Sequence, residues 1–391
     1  MHSGCRAWRA ILQSPGGFSL HVLVTGDTLS GSWTYTRELV TGLVTRGVRV
    51  TLVSFGEIPL PEQTAWMDHL HGLEYHPTAF HLEWMQEAEE DLPESAEFLA
   101  ALVRELRPDV LHLNQFCYGD LPVDVPRVIM AHGDLITWSH AVRERGQTQS
   151  RPTLWYHDTV LRGIACADAV VAPSAWMLDR IAACYGQPEH GEVIYPGRNP
   201  IFFNPYVSKD ECVLAVGRMV DAGKQVFLLI QQSHPVPVCI VGAEQTVPMP
   251  RVPIRADVKL ATDHTSVAIR GPQTESQLRA LYSRAAIYAA TARYEPLSMP
   301  ALEAAFSRCA IVANDTPTYR EIWGDAALYF STNDAVSLAE NIRQLSENRS
   351  LRRAYAELAY TRARERFTTK RMIEDYLQLY RGLIAVKSAA A

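Results

Sequence analysis

The chain has 391 residues, of which 47% are hydrophobic and 20% are charged, as in an ordinary globular protein of two domains. Its net charge of -6 provides no general positive field, so a nucleic-acid partner is not expected. The seven cysteines stand singly without C-x-x-C spacing, which argues against a disulfide framework and a zinc site. No long apolar run is present, so we expect a cytoplasmic protein.

Short β-branched segments alternate with stretches of helical period in both halves of the chain, a pattern that predicts parallel sheets. The predicted strands of the first half are residues 20–25, 49–55, 110–113, 128–131 and 169–172. Those of the second half are residues 212–216, 238–241, 267–269, 287–290, 311–313 and 327–330. The fold class is therefore α/β, with two doubly wound, Rossmann-like domains.

Residues 195–205 contain three prolines and a glycine, which disfavour regular structure and predict a linker between the domains. The predicted N-terminal domain is residues 1–205, and the predicted C-terminal domain is residues 206–367. After Asp334 apolar residues recur at helical spacing, so at least three helices close the chain. We expect the last of them, about residues 368–391, to pack back on the first domain.

The most informative segment is Arg-Tyr-Glu-Pro-Leu-Ser-Met-Pro-Ala-Leu-Glu, which follows a predicted strand and contains Glu295 and Glu303. A helix is predicted to begin here with Ser298 at its N-cap. Free N–H groups at such a helix start favour a diphosphate. The two carboxylates would then lie on either side of the phosphates. On spacing alone, two solvated carboxylates are an equally good interpretation.

A second cluster of chemistry lies in Val-Gly-Arg-Met-Val-Asp-Ala-Gly-Lys-Gln, where Gly217 and Arg218 follow a predicted strand. Lys224 comes six residues later, and both cations can converge on a diphosphate leaving group. The alternative interpretation is that the two cations simply lie on a surface loop. It is less favoured because Glu295 and Glu303 are expected nearby.

The first half has its own candidates at the ends of predicted strands. Gly31 and Ser32 lie between a strand and a helix, where small residues let the backbone approach a ligand. His132 directly follows a strand, at the edge where such sheets bind ligands. His112 lies inside a strand and is expected in the core. A plain strand-to-helix turn remains the alternative for Gly31 and Ser32.

The segment from Glu295 to Glu303 resembles the Glu-x7-Glu signature of retaining glycosyltransferases of family 4, which have the GT-B fold with two domains facing a central cleft. In motif order the resemblance extends over residues 19–367. It implies that Glu295 contacts the donor sugar and Glu303 the ribose. Leu297, Ser298 and Met299 would then approach the diphosphate. Where the family usually has glycine, this chain has Ser298.

The same resemblance covers the other candidates. The Gly-Arg...Lys element implies that Arg218 and Lys224 neutralise the pyrophosphate, although here glycine precedes the lysine instead of following it. His132 matches a family histidine that bonds the sugar ring. Gly271 and Pro272 match a turn whose backbone surrounds the nucleotide base, while the neighbouring Thr274 and Gln277 are typical of a capping box.

The resemblance implies transfer of a sugar from a nucleoside diphosphate donor to an acceptor hydroxyl, with retention of anomeric configuration. A UDP-sugar is favoured, and polysaccharide, glycolipid or glycoconjugate biosynthesis is expected. No D-x-D triplet signals a divalent metal and no G-x-G-x-x-G signals nicotinamide or flavin, so no metal or cofactor is expected beyond the co-substrate. An epimerase, a phosphorylase or a catalytically silent nucleotide-sugar-binding protein remain alternatives.

The sequence says least about the identity of the acceptor. Asp134, Trp138 and Arg143 belong to a candidate acceptor wall, since aromatic rings stack on sugars and arginines bind phosphate or carboxylate groups. An exposed loop and helix is the alternative. Residues 349–381 carry nine Lys or Arg against four Asp or Glu, which could attract a lipid-linked acceptor or an anionic membrane surface. Ordinary solvated helices explain this charge equally well.

Overall fold

Two parallel β-sheets form the framework of the protein, each flanked by helices. The computed structural model describes residues 20–142, 151–219, 221–242, 267–296 and 298–390. Within these residues every pairing between named strands is parallel. This architecture confirms the predicted fold class of two Rossmann-like units.

In the described part of the chain, the first sheet has seven strands in the order β3-β2-β1-β4-β5-β6-β7. The strands are β1 (His21–Asp27), β2 (Arg49–Phe55), β3 (Leu73–Pro77), β4 (Val110–Leu113), β5 (Arg127–Met130), β6 (Ala169–Ala172) and β7 (Gly191–Val193). All five strands predicted for this half are present. The two missed strands, β3 and β7, are the sheet edges, where partial exposure removes the continuous apolar pattern that marks a buried strand.

Helices cover both faces of the first sheet. They are α1 (Ser32–Val44), α2 (Pro61–Thr64), α3 (Ala88–Leu106), α4 (Leu135–Val142), α5 (Arg151–Cys166) and α6 (Ala175–Tyr185). The chain order of the strands reverses between β1 and β4, and ligands bind in the crevice at such a switch point.

Among the described residues, the second sheet has six strands in the order β10-β9-β8-β11-β12-β13. They are β8 (Asp210–Val216), β9 (Val238–Val241), β10 (Val267–Arg270), β11 (Ala285–Ala290), β12 (Ala310–Asn314) and β13 (Leu328–Phe330). All six match strands predicted for this half. The order reverses between β8 and β11, which places the ends of these two strands beside a second crevice.

The helices of the second half are α7 (Glu275–Arg284), α8 (Met299–Phe306), α9 (Pro317–Trp323), α10 (Ala335–Glu347), α11 (Arg349–Arg366) and α12 (Thr369–Ala390). The capping box predicted at Thr274 and Gln277 is confirmed. Three helices follow Asp334, which caps the first of them through the backbone N–H groups of Val336 and Ser337.

The last helix, α12, packs on the first sheet. Met372, Ile373, Tyr376 and Tyr380 are buried in one apolar cluster with β1, β2 and α1. The close approach of α1 requires Gly42, because a Cβ there would lie 2.5 Å from Cγ1 of Ile373. No helix in the described part of the chain is both long and apolar enough to cross a membrane.

The histidine expected in the core is confirmed there. His112 is fully buried in β4, and its Nδ1 lies 2.7 Å from the hydroxyl of Tyr380 in α12. Burial lowers the pKa of His112 to about 3, and the neighbouring His132 acts in the same direction. The imidazole is therefore neutral and serves to join β4 to the C-terminal helix.

The predicted linker is irregular but held in place. Its only described helical turn is the 3-10 segment Pro200–Phe202. Arg198 forms an isolated parallel bridge with Thr368, at the start of α12. A Cβ at Gly197 would lie 2.5 Å from the carbonyl oxygen of Thr368, so only glycine fits this crossing.

Candidate active site

The predicted site residues lie at the carboxyl edges of the two sheets. His132 follows β5, and Gly217 and Arg218 follow β8. Glu295 lies in the loop between β11 and α8. In doubly wound folds this edge is where ligands bind, because strand ends leave helix starts and loops facing one crevice.

The two halves of the site meet at Gly133. A Cβ on this glycine would lie 3.0 Å from the hydroxyl of Tyr294 and 3.3 Å from Cγ of Pro296. These two residues flank Glu295 in sequence, and Gly133 directly follows His132. The structure therefore brings the loop of His132 and the loop of Glu295 into contact across the domains.

Glu295 is the residue around which the second half of the site is organised. Its Oε2 lies 2.8 Å from Nζ of Lys224, and its Oε1 accepts a hydrogen bond of 3.1 Å from the backbone N–H of Ser298. The Glu295 residue is only 8% exposed. One carboxylate thus joins the cation of one loop to the start of helix α8.

Ser298 occupies the N-cap position of α8, as expected, but its side chain makes no capping hydrogen bond. Its backbone is left-handed, with φ of +44°, and its hydroxyl is buried without a partner in the described residues. Glycine adopts this conformation without a Cβ clash, whereas other residues are strained. The backbone turn is therefore retained although the side chain has changed. Leu297 lies outside the described residues, and Met299 is the first residue of α8 and is buried.

The loop after β8 is ordered by Asp221, which sequence reasoning missed. Its Oδ2 accepts a hydrogen bond of 2.9 Å from Arg218, and its Oδ1 accepts one of 2.8 Å from the N–H of Gly223. Burial alone would raise the pKa of Asp221, but Arg218 and Lys224 lower it. The aspartate therefore stays ionised and holds Arg218 on the side of the loop that carries Lys224. Gly217 leaves no room for a side chain, since a Cβ would lie 2.9 Å from Val226.

His132 is held by an asparagine at the end of β4. Its Nε2 lies 2.6 Å from Oδ1 of Asn114, whose amide nitrogen faces the carbonyl oxygen of Thr25. Because that carbonyl can only accept, Asn114 presents its oxygen to the ring, and Nε2 of His132 carries the proton. Burial lowers the pKa of His132 to about 3, so the ring is neutral. Its Nδ1 is then a buried acceptor without a partner in the described residues.

Glu303 lies in α8 and contacts the linker. Its Oε1 is 2.9 Å from Nη2 of Arg198, and its side chain keeps 13% exposure. Burial raises the pKa of Glu303, and the charge of Arg198 only partly offsets this effect. Sequence reasoning did not identify Arg198. The available signal was a single cation within an otherwise uncharged, proline-rich linker.

Arg198 joins Glu303 to both domains. Its Nη1 contacts Glu38 of α1, and its Nη2 lies 3.2 Å from Oε1 of Glu275 in α7. Arg37 of α1 also pairs with Glu275 through both of its terminal nitrogens. The linker, α1, α7 and α8 therefore share one cluster of ion pairs.

The remaining donor-site candidates are more open. Gly31 is exposed, and a Cβ at this position would meet nothing within 4 Å, while Ser32 is buried and its hydroxyl lies 2.8 Å from that of Ser30. Gly271 and Pro272 are exposed, and their carbonyl oxygens accept hydrogen bonds from the side chain of Gln273. The three exposed positions, Gly31, Gly271 and Pro272, leave backbone accessible at the rims of the two sheets.

The candidate acceptor wall has a structural role at two of its residues. Oδ1 of Asp134 accepts hydrogen bonds from the N–H of Ile136 at 2.8 Å and from the hydroxyl of Tyr185 at 2.6 Å. Trp138 is 8% exposed and lies against Gly223, where a Cβ would be 2.9 Å from the indole nitrogen. Both side chains are already packed against other residues of the protein, and their part in acceptor binding stays a prediction. Arg143 lies outside the described residues.

Among the described residues, no group of three or more His, Cys, Asp or Glu side chains is arranged to hold a metal ion.

Both halves of the chain match known families. Residues 29–201 match the family described as Glycosyltransferase Family 4, and residues 201–362 match the family described as Glycosyl transferases group 1. The chain is also 27% identical over 306 residues to alpha-maltose-1-phosphate synthase of Mycolicibacterium smegmatis, a match that covers 70% of this chain and 76% of that protein.

Solved structures share the fold. Sucrose-phosphate synthase from Thermosynechococcus elongatus superposes with a TM-score of 0.77 at 16% identity, covering 94% of this chain and all of that one. Anabaena HepE, solved in complex with UDP and glucose, superposes with a TM-score of 0.70 at 14% identity, covering 93% of this chain and all of that one. The chain therefore belongs to the group 1 glycosyltransferases of family 4 and is a glycosyltransferase enzyme with the GT-B fold.

Proposed function

We propose that the protein transfers a sugar from a nucleoside diphosphate sugar to an acceptor hydroxyl with retention of the anomeric configuration. A UDP-sugar is the favoured donor, since UDP is the commonest carrier in the family and HepE was solved with UDP. The products would belong to polysaccharide, glycolipid or glycoconjugate biosynthesis.

The observation that carries this proposal is the contact of 2.8 Å between Lys224 and Glu295 at the start of α8. It places a cation, a carboxylate and a helix N-terminus beside one another at the carboxyl edge of the second sheet. A cation and free N–H groups suit a diphosphate, and a carboxylate suits sugar hydroxyls. These are the two parts of a nucleotide-sugar donor.

Charge stabilisation is the main catalytic effect that these residues can supply. As the bond between the sugar and the diphosphate breaks, negative charge grows on the leaving oxygen. Arg218, Lys224 and the start of α8 would stabilise that charge without a metal ion. Because Asp221 holds Arg218 in place, little reorganisation would be needed at the moment of reaction.

The acceptor hydroxyl would attack the face from which the diphosphate leaves. A phosphate oxygen of the donor can then take the acceptor proton, so no separate carboxylate base is required. Glu295 would orient the sugar and support its developing positive charge. The neutral ring of His132 would contact the donor sugar, while Asn114 keeps the proton on Nε2.

An anionic or lipid-linked acceptor, or peripheral contact with a membrane surface, remains a weaker proposal. Part of the basic charge near the C-terminus is used internally: Arg352 is buried and binds Glu211, and Nη1 of Arg371 binds Asp375. Sedimentation with anionic liposomes tests the membrane contact, and binding that does not depend on anionic lipid would remove it.

The donor can be identified by heating the protein with UDP-, GDP-, ADP- and TDP-sugars. A ligand that binds only the native state raises the melting temperature. Slow hydrolysis of the stabilising donor, accelerated by a hydroxyl acceptor, is the expected result. Release of an altered monosaccharide or a sugar phosphate without acceptor would instead indicate an epimerase or phosphorylase. Binding without turnover would indicate a catalytically silent protein.

A further inference from the structure

Arg198 is the charged residue of the linker, and it is almost completely enclosed. It is 1% exposed, and carboxylates from three helices surround its terminal nitrogens. These are Glu38 of α1, Glu275 of α7 and Glu303 of α8. An enclosed cation is stable only when such partners compensate its lost hydration.

The contact with Glu303 differs from the other two. Glu38 receives a second hydrogen bond from Thr369, and Glu275 is bound by Arg37 and Arg279 as well. For Glu303, Arg198 is the one cation within 4 Å among the described residues. Arg198 is therefore the main group that lowers the pKa of Glu303 towards its ionised form, and Tyr282 of α7 acts in the same direction.

The charge state of Glu303 matters for what it can bind. An ionised carboxylate only accepts hydrogen bonds, whereas a protonated carboxyl also donates one. Ribose offers two neighbouring hydroxyl donors, and hydrogen bonds to an ionised acceptor are about twice as strong as neutral ones. A ribose lacking its 2′-hydroxyl would leave part of that acceptor unused.

We infer that Arg198 is a positioning residue that makes the enzyme select ribonucleotide over 2′-deoxyribonucleotide donors. It does so by holding Glu303 as an ionised acceptor aimed at the ribose hydroxyls. The inference rests on the proposed function and on the role of Glu303 that the family resemblance implies, because it requires Glu303 to face the ribose of a nucleotide donor.

The experiment must distinguish the positioning role of Arg198 from a purely structural role, because the residue also connects the domains. Glu38→Gln is the matched control: it weakens the contact between Arg198 and α1 but leaves Glu303 and its partner intact. A structural role would make Glu38→Gln and Arg198→Met act alike. A positioning role confines the change in nucleotide preference to Arg198 and Glu303 variants.

The experiment is calorimetric titration of the full chain with UDP and 2′-deoxy-UDP, or with GDP or ADP and their 2′-deoxy forms if the donor screen selects those bases. We expect the wild type to bind the ribonucleotide about 10- to 100-fold more tightly, the range for hydrogen bonds to a charged group. In Arg198→Met the ratio should fall to within about threefold of one, and in Glu38→Gln it should stay near the wild-type value.

A double-mutant cycle sharpens the test. If Arg198 acts through Glu303, adding Arg198→Met to Glu303→Gln will not change the ratio further. If Arg198→Met does not fold, Arg198→Lys serves instead, and its ratio should lie between those of the wild type and Glu303→Gln. An unchanged ratio in the Arg198 variants, or an equal fall in Glu38→Gln, would overturn the inference.

Failure of the inference and of the proposed function give different results. A wild type that binds no nucleoside diphosphate contradicts the proposed function. A wild type that binds UDP and 2′-deoxy-UDP equally leaves the proposed function standing and overturns the role of Arg198.

Discussion

Lys224 and Glu295 form an ion pair with a distance of 2.8 Å, although 71 residues separate them in the chain. The pair connects the loop after β8 with the loop between β11 and α8. The order of the strands in the second sheet reverses between β8 and β11. In this contact the carboxylate of Glu295 compensates the charge of Lys224. A diphosphate would compete for the same cation, so donor binding and the position of Glu295 are expected to be linked.

Replacing Glu295 by glutamine should reduce turnover by about 10² or more, the scale for losing a preorganised electrostatic contact. Nucleotide affinity should not fall, because Lys224 loses a competing partner and remains available to the diphosphate. Initial rates and nucleotide titration measure the two effects separately. Glu340→Gln, on the exposed face of α10, is the control and should behave as wild type. Near-normal turnover in Glu295→Gln would contradict the role assigned to this carboxylate.

Removing the side chain of Arg218 should also reduce turnover by about 10², because one of the two cations near the leaving diphosphate is lost. In contrast with Glu295→Gln, Arg218→Ala should also weaken binding of the nucleoside diphosphate. The matched variant is Arg284→Ala, which removes an exposed arginine paired with Asp210 at 2.8 Å. Equal losses in the two variants would show that the effect comes from general charge and not from the site.

Ser298→Gly should stabilise the protein by about 1 kcal/mol, since the left-handed backbone strains any residue with a Cβ. The comparison is Ser298→Ala, which removes the unpaired hydroxyl but keeps the Cβ and its strain. Denaturant unfolding of the three proteins gives the free energies. If the alanine variant gains as much as the glycine variant, the unpaired hydroxyl and not the backbone is responsible.

The contribution of His112 to the free energy of unfolding should fall as the pH decreases from about 6.5 towards 3. Burial lowers the pKa of His112 from 6.5 to about 3, so in this window the unfolded chain binds a proton that the native protein does not. One such histidine changes stability by at most about 1.4 kcal/mol per pH unit. His112→Gln should reduce the slope by up to that amount, as measured by unfolding between pH 5 and pH 6.

Comparing wild type with His112→Gln also removes the effect of Glu83, whose titration changes stability in the opposite direction. Burial raises the pKa of Glu83 to about 7, so this carboxyl favours the native state at lower pH. Because Glu83 is present in both proteins, the difference between wild type and His112→Gln isolates the histidine. An identical slope in the two proteins would show that His112 titrates normally in the native state.

Local patterns were sufficient for the framework and for the identity of the main candidates. Continuous apolar runs predict buried parallel strands, and those strands are present at the predicted places. The missed strands β3 and β7 lie at the sheet edge, where one side of the strand is exposed and the pattern is weaker. The residue types at Glu295, Arg218, Lys224 and His132 likewise follow from short motifs next to strand ends.

Partners that are distant in sequence could not be read from any pattern. Which loops meet is decided only when the sheets and domains pack. This packing buries Asp134 and Trp138, brings Asn114 into hydrogen-bond distance of His132, and places Arg198 against Glu303. Whether a polar side chain has an internal partner is a property of its surroundings in space. The sequence by itself thus determined which chemical groups stand at the strand ends, and only the tertiary structure decided which of them are paired and which remain free to bind a ligand.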